Sequence, residues 1–241
     1  MGSFALGLPL FVFPRPFARI ADLAGDDTFI YELGGAAMLG YAVALALGIR
    51  SGLWPPMRFV VLATYVFAAV AFLAGFASFA GNQINGLVVA VSLWAVVVAW
   101  ALAQVLVAHR GAVAGPRDVA RWAAIVLALA TVSAAVFGLG PQLPGPFASV
   151  MGYRGTDEFI YRLAGAACFG YAMMGIQELR SLHWDDLRLP NIMALVFNGL
   201  AFLASALEIL AGRATLLAYL VALAAGFFTV AIAAILVRRG R

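Results

Sequence analysis

Hydrophobic and polar positions along the chain form a series of apolar runs near twenty residues long, separated by short polar links. A helix of about 20 apolar residues, rising ~1.5 Å per residue, crosses a hydrocarbon core of about 30 Å. The runs place spans at residues 28–49, 59–79, 87–108, 119–140, 158–178, 190–211 and 214–237. Continuous runs of this length predict helices, because the strands of an outer-membrane barrel need short segments of alternating polarity. The expected fold class is therefore an all-α integral membrane protein.

The pattern also occurs twice. Residues 25–42 read GDDTFIYELGGAAMLGYA and residues 155–172 read GTDEFIYRLAGAACFGYA, a shift of 130 positions (157 − 27). At the same shift Pro14, Pro16, Phe17 and Ala18 fall on Pro144, Pro146, Phe147 and Ala148. Arg50, Ser51, Trp54 and Arg58 fall on Arg180, Ser181, Trp184 and Arg188, and Phe67 on Phe197. The expectation is a tandem duplication, with a first four-helix repeat over 1–108, a link over 109–121 and a second four-helix repeat over 122–241. Four segments per unit is an even number, so both repeats enter the membrane in the same orientation, related by an axis along its normal.

The repeat also settles how the first residues are read. Residues 1–13 are apolar, but no basic residue precedes them as a signal peptide requires. They align instead with the end of the helix over 119–140. They are read as the tail of a first helix, which either starts further upstream or enters the membrane only halfway. Seven full spans plus one short N-terminal segment are expected, seven to eight helices in all.

Composition agrees with this class. Hydrophobic residues make up 65% and charged residues 11%, with a mean hydropathy of +1.01, whereas soluble domains have roughly 45–50% apolar and about 25% charged residues. All fifteen basic residues are arginine, so no lysine is present for Schiff-base chemistry. The net charge of +4 is a topology signal rather than a nucleic-acid footprint. Arg50, Arg58, Arg110, Arg117, Arg121, Arg180, Arg188, Arg238, Arg239 and Arg241 lie at one end of the spans, and Arg15, Arg19, Arg154, Arg162 and Arg213 at the other. The richer end, with the C-terminus, is expected in the cytoplasm of a cell with a plasma or bacterial-type inner membrane. The single cysteine, Cys168, excludes an intramolecular disulfide. His109 and His183 are too far apart in the links to suggest a metal centre, and no cofactor signature is present.

Several polar residues stand out against the apolar background. Asp27 and Asp157 each precede a span, where a carboxylate caps free backbone N–H groups and meets the positive end of the helix dipole; a paired outward cation or proton site is the competing reading. Glu32 and Arg162 occupy equivalent positions, about one turn inside their helices. They either meet across the axis as an ion pair that docks the repeats or snorkel separately to the interface. Asn198 replaces Ala68 and Glu208 replaces Ser78, making the second repeat the more polar one. Ala36/Gly40 and Ala166/Gly170 are small-xxx-small pairs suited to close helix packing.

These features favour a non-enzymatic transporter or binding protein for a small solute or lipid-like molecule, with an outward-side site between the repeats. The alternative is a non-catalytic structural subunit or assembly factor of a larger membrane complex. The bilayer is the expected partner in either case, with a membrane protein or a second copy as a further one. No hydrolase, nucleotide-binding or metallopeptidase motif is present to suggest catalysis.

Overall fold

The computed structural model describes residues 2–109 and 117–239. Ten α-helices account for most of them: α1 (Gly2–Val12), α2 (Pro14–Ile20), α3 (Thr28–Ser51), α4 (Trp54–Ala80), α5 (Gly86–Ala108), α6 (Arg121–Leu139), α7 (Pro144–Met151), α8 (Glu158–Ser181), α9 (Trp184–Leu210) and α10 (Leu216–Arg239). A 3-10 turn, Gly140–Gln142, continues α6. Seven helices are long and apolar enough to cross a bilayer, namely α3, α4, α5, α6 with its 3-10 extension, α8, α9 and α10. At 11 residues, α1 is shorter.

Two boundaries differ from the sequence expectation. Helices α4 and α9 begin at Trp54 and Trp184, where polar links were expected to continue to about residues 58 and 189. The first turn of a helix tolerates what those links contain. Pro55 and Pro56 need no N–H there, and Asp185 and Asp186 meet the positive end of the dipole. The segments read as loops before each duplicated stretch also hold the short helices α2 and α7, each started by proline in its first turn.

Helices of matching rank agree in length. α3 and α8 are both 24 residues, and α4 and α9 are both 27. The two halves of the chain are not separate bundles. α3 packs chiefly against α9 and α1, and α8 chiefly against α4 and α6, while α3 and α8 also touch each other. α5 and α10 lie outside, against α4 and α9 respectively. Each member of the central pair is thus clasped by the helix that follows its counterpart in the opposite half, α3 by α9 and α8 by α4.

The seam between the halves is narrow because its glycines keep it so. A Cβ on Gly40 would lie 2.9 Å from the Met193 carbonyl oxygen, and one on Gly170 2.5 Å from that of Ala63. Ala36 and Ala166 are fully buried beside them. Close backbone approach of this kind supplies the dispersion contacts that hold helices together in lipid. Tyr41 and Tyr171 fill the middle of the seam with ring centroids 5.0 Å apart. The Tyr41 hydroxyl donates to the Ala167 carbonyl at 2.8 Å, and that of Tyr171 to Ala37 at 3.1 Å. Phe67 stacks on Tyr41 and Phe197 on Tyr171.

Candidate functional site

At the arginine-poor end, Asp27 and Asp157 occupy the N-cap positions of α3 and α8, but neither side chain caps its own helix. The capping expectation is corrected by where the oxygens go. Asp157 accepts from the backbone N–H groups of Ala24 and Gly25 at 2.9 and 2.8 Å, and from the Tyr31 hydroxyl at 2.6 Å. Asp27 accepts from Arg154 and Gly155 N–H groups at 3.2 and 2.8 Å, and from the Tyr161 hydroxyl at 2.8 Å. Each carboxylate is held in the loop of the opposite half. Gly25 and Gly155 sit at φ +69° and +72°, a left-handed conformation that glycine adopts at little cost. It turns successive N–H groups toward one anion, as in a backbone nest. With three donors on each buried carboxylate, this pair is a latch between the halves. A cation would have to displace it.

Glu32 and Arg162 do not pair across the seam. The Arg162 guanidinium lies 2.7 Å from Glu158, one turn back on the same helix, with its side chain only 17% exposed. The first-half equivalent of Glu158 is Thr28, so the arrangement belongs to one half alone. Glu32 is instead within electrostatic reach of Glu208 and Arg213. Glu208 is buried at 5% exposure and bonded to Arg213 at 2.8 Å. Its carboxylate raises the exposed Arg213 guanidinium above its ordinary pKa, chiefly by that hydrogen bond. Nearby, burial pushes the Tyr153 phenol up to about 12. Glu32 and Glu208 therefore share the neighbourhood of Arg213 and Tyr153 at this end, while Arg162 is engaged with Glu158.

The space that a ligand would need lies elsewhere. A cavity of about 110 Å³ runs inside the second half between α6, α8, α9 and α10. The first half contributes only Ile30 and Leu33 of α3. The cavity follows α8 from Ala164 to Glu178 and α10 from Leu217 to Ile232. Fourteen to fifteen residues (178 − 164 and 232 − 217) at ~1.5 Å each spread its lining over about 21–22 Å of these helices. Its wall is almost wholly apolar. The seam itself, where a site between the repeats was expected, is occupied by the four aromatic rings of Tyr41, Tyr171, Phe67 and Phe197.

The few polar groups on this wall differ in how far they are already engaged. Thr131 donates to Leu127 and Asn198 to Ala194, both to the carbonyl one turn back, and the Tyr171 hydroxyl is held by Ala37. Asn198 is the one candidate site residue that lines the cavity. Cys168 lies on the wall beside Tyr171. Glu178 stands at the arginine-rich end, 4% exposed. It accepts one bond, from the Asn191 amide at 3.2 Å. No ion pair found among the described residues involves it. Asn191 is itself 1% exposed; its amide also donates to Leu187, and its Oδ1 has no partner.

Glu178 and Asn191 were not among the residues singled out from sequence, although the duplication marks both. At the shift of 130, Glu178 replaces Gly48 and Asn191 replaces Val61. Glu178 is missed because the apolar run of its span stops there, and a helix end reads as a wet position. The next turn, to Ser181, is in fact buried. On the same side, Asp186 replaces Pro56 and holds Arg58 of the first half at 2.7 Å and Ser181 at 2.6 Å. His109 stacks on Trp54, and His183 lies 3.8 Å from both Asp118 and Asp185. Among the described residues no three His, Cys, Asp or Glu side chains are grouped to hold a metal ion.

Seven apolar spans around a filled seam define the chain as a polytopic α-helical membrane protein. Compared with known protein families, curated proteins and solved structures, the chain matches none.

Proposed function

We propose that this protein is a non-enzymatic binding protein or carrier for an elongated, largely apolar molecule, seated in the cavity of the second half. The observation that carries the reading is the cavity's form: about 21–22 Å of apolar wall along the helix axes, with one buried carboxyl at its end. Such a shape suits a single extended chain and offers little to a hydrated solute, because apolar walls cannot replace a solute's hydrogen bonds to water. The cavity belongs to a tandem duplication of same-orientation four-helix units, a reading supported by the equal helix lengths and the reciprocal Asp27 and Asp157 contacts. The arginine asymmetry favours a cytoplasmic position for the Glu178 end and the C-terminus, in a plasma or inner membrane.

The wall carries its own reporter, the chain's one cysteine. In purified full-length protein a small apolar maleimide should label Cys168 slowly, and a saturated 14-carbon chain should slow it further. In Ala224→Trp, which places an indole in the cavity, labelling should fall several-fold and the added chain should have no further effect. Labelling unchanged by both the chain and the indole would overturn the reading. The second reading, a non-catalytic subunit of a larger complex, draws on the filled seam, which leaves no path for a solute between the halves. Native-gel sizing after mild extraction separates the two, since a subunit migrates in a stoichiometric larger assembly.

A further inference from the structure

We infer that the occupant of this cavity carries a cationic, proton-donating head, a primary amine on a long apolar chain, bound at Glu178 and Asn191. The inference rests on the apolar-chain reading above and adds the chemistry of one end. Glu178 is buried at the end of an apolar cavity with one hydrogen bond, and no ion pair found among the described residues neutralises it. Asp186, an acid at the same end, is satisfied separately by Arg58 and Ser181. Ionised, this carboxyl is costly to hold unless a cation reaches it, and without one it stays neutral. The neighbouring Asn191 decides which kind of partner. Both bonds of its amide nitrogen go to oxygens, Glu178 and Leu187, which fixes its Oδ1 as an unfilled acceptor.

Two acceptors therefore sit side by side on adjacent helices, the Glu178 carboxyl on the cavity wall and Asn191 Oδ1 beside it, and apart from the one Asn191 N–H on Glu178 no side chain donates to them. A ligand carbonyl or carboxylate would leave Asn191 Oδ1 unfilled and would meet Glu178 acceptor to acceptor. A hydroxyl has one proton to share between two acceptors. An ammonium has three and brings the missing charge. The chain behind it would then run past Phe197 and Cys168 toward Leu217, the length of the cavity.

Equilibrium binding to the full-length protein in detergent, read by native mass spectrometry, tests this with tetradecylamine and tetradecanoate as probes. The wild type should hold the amine at least about tenfold more tightly than the carboxylate, the worth of one charge-assisted hydrogen bond. Glu178→Gln should erase that preference while still binding the chain. Asn191→Ala, which keeps the carboxylate, should reduce it several-fold and serves as a second test if the glutamine variant does not fold. Equal binding of both probes to the wild type, or tighter binding of the carboxylate, would overturn the amine assignment. If that binding were lost in Ala224→Trp, the apolar-chain reading would survive alone. Absence of binding for both probes would overturn both.

Discussion

At equivalent positions of the two outer helices the chain places Trp94 in the first half and Ala224 in the second. In the first half the indole packs 5.9 Å from the Phe67 ring and closes against Gly2 of α1. In the second half Ala224 lines the cavity, and Phe197, at the position of Phe67, turns its face to Tyr171. Matching positions thus hold an indole packed on the core in one half and a cavity wall in the other. The neighbouring pairs Val88 and Ala218, Val91 and Val221, and Ala95 and Ala225 are buried alike in both halves. The hollow is therefore a local substitution within a shared frame, and polar residues follow it, with Glu178 for Gly48 and Asn191 for Val61.

The sharpest way to break that comparison is to hollow the packed half. Trp94→Ala removes a large, partly buried ring packed against the core and should cost about 3 kcal/mol, the low end of the range for deleting a buried aromatic side chain. Thermal unfolding of the detergent-purified protein would show it as a clearly lowered midpoint. The first half should then admit an apolar chain, but without head-group selectivity, because Gly48 supplies no carboxylate. A loss of about 1 kcal/mol or less would mean that Trp94 faces lipid rather than filling a core, and the contrast between the halves would fail.

How much of this was legible beforehand depended on whether a residue's partner lay near it in sequence. The spans could be read because hydrophobic run length is a local property. The small residues at Gly40 and Gly170 could be read because close packing leaves a spacing within one helix. The asymmetry at Asn198 and Glu208 showed directly in the comparison of the repeats. Where Asp27 and Asp157 point could not be read. Their positions suit a cap, and only the folded seam brings Ala24 and Gly25 of one half to the carboxylate of the other. The Trp94 and Ala224 difference was present in the sequence, but a large apolar residue replaced by a small one looks unremarkable until it is known that both face inward.

The latch offers the opposite comparison, one in which the halves should behave alike. Asp27→Asn and Asp157→Asn each remove a negative charge that accepts three hydrogen bonds across the seam. Each should cost about 2–3 kcal/mol, since bonds to charged groups contribute more than neutral ones. The two losses should agree within about 0.5 kcal/mol, and the double variant should cost no more than their sum plus a coupling term between the two contacts. Denaturation midpoints of the three variants measure this. A loss confined to Asp157→Asn would make the latch another feature of the second half alone.

The smallest effect concerns Arg162, and it distinguishes the partner seen in the structure from the one its position suggests. The pair with Glu158 is an i,i+4 contact at the end of a helix, and such contacts contribute about 0.3–0.5 kcal/mol when exposed. With the Arg162 side chain 17% exposed, Arg162→Glu should cost somewhat more, about 1 kcal/mol, through repulsion from Glu158. Adding Glu158→Arg should recover most but not all of that loss, because a cation in the first turn of α8 opposes the helix dipole. Adding Glu32→Arg instead should recover nothing and should cost more, because it sets a second cation near Arg213. Recovery with Glu32→Arg and not with Glu158→Arg would restore the cross-seam ion pair, and with it a charged dock between the halves in addition to the aspartate latch.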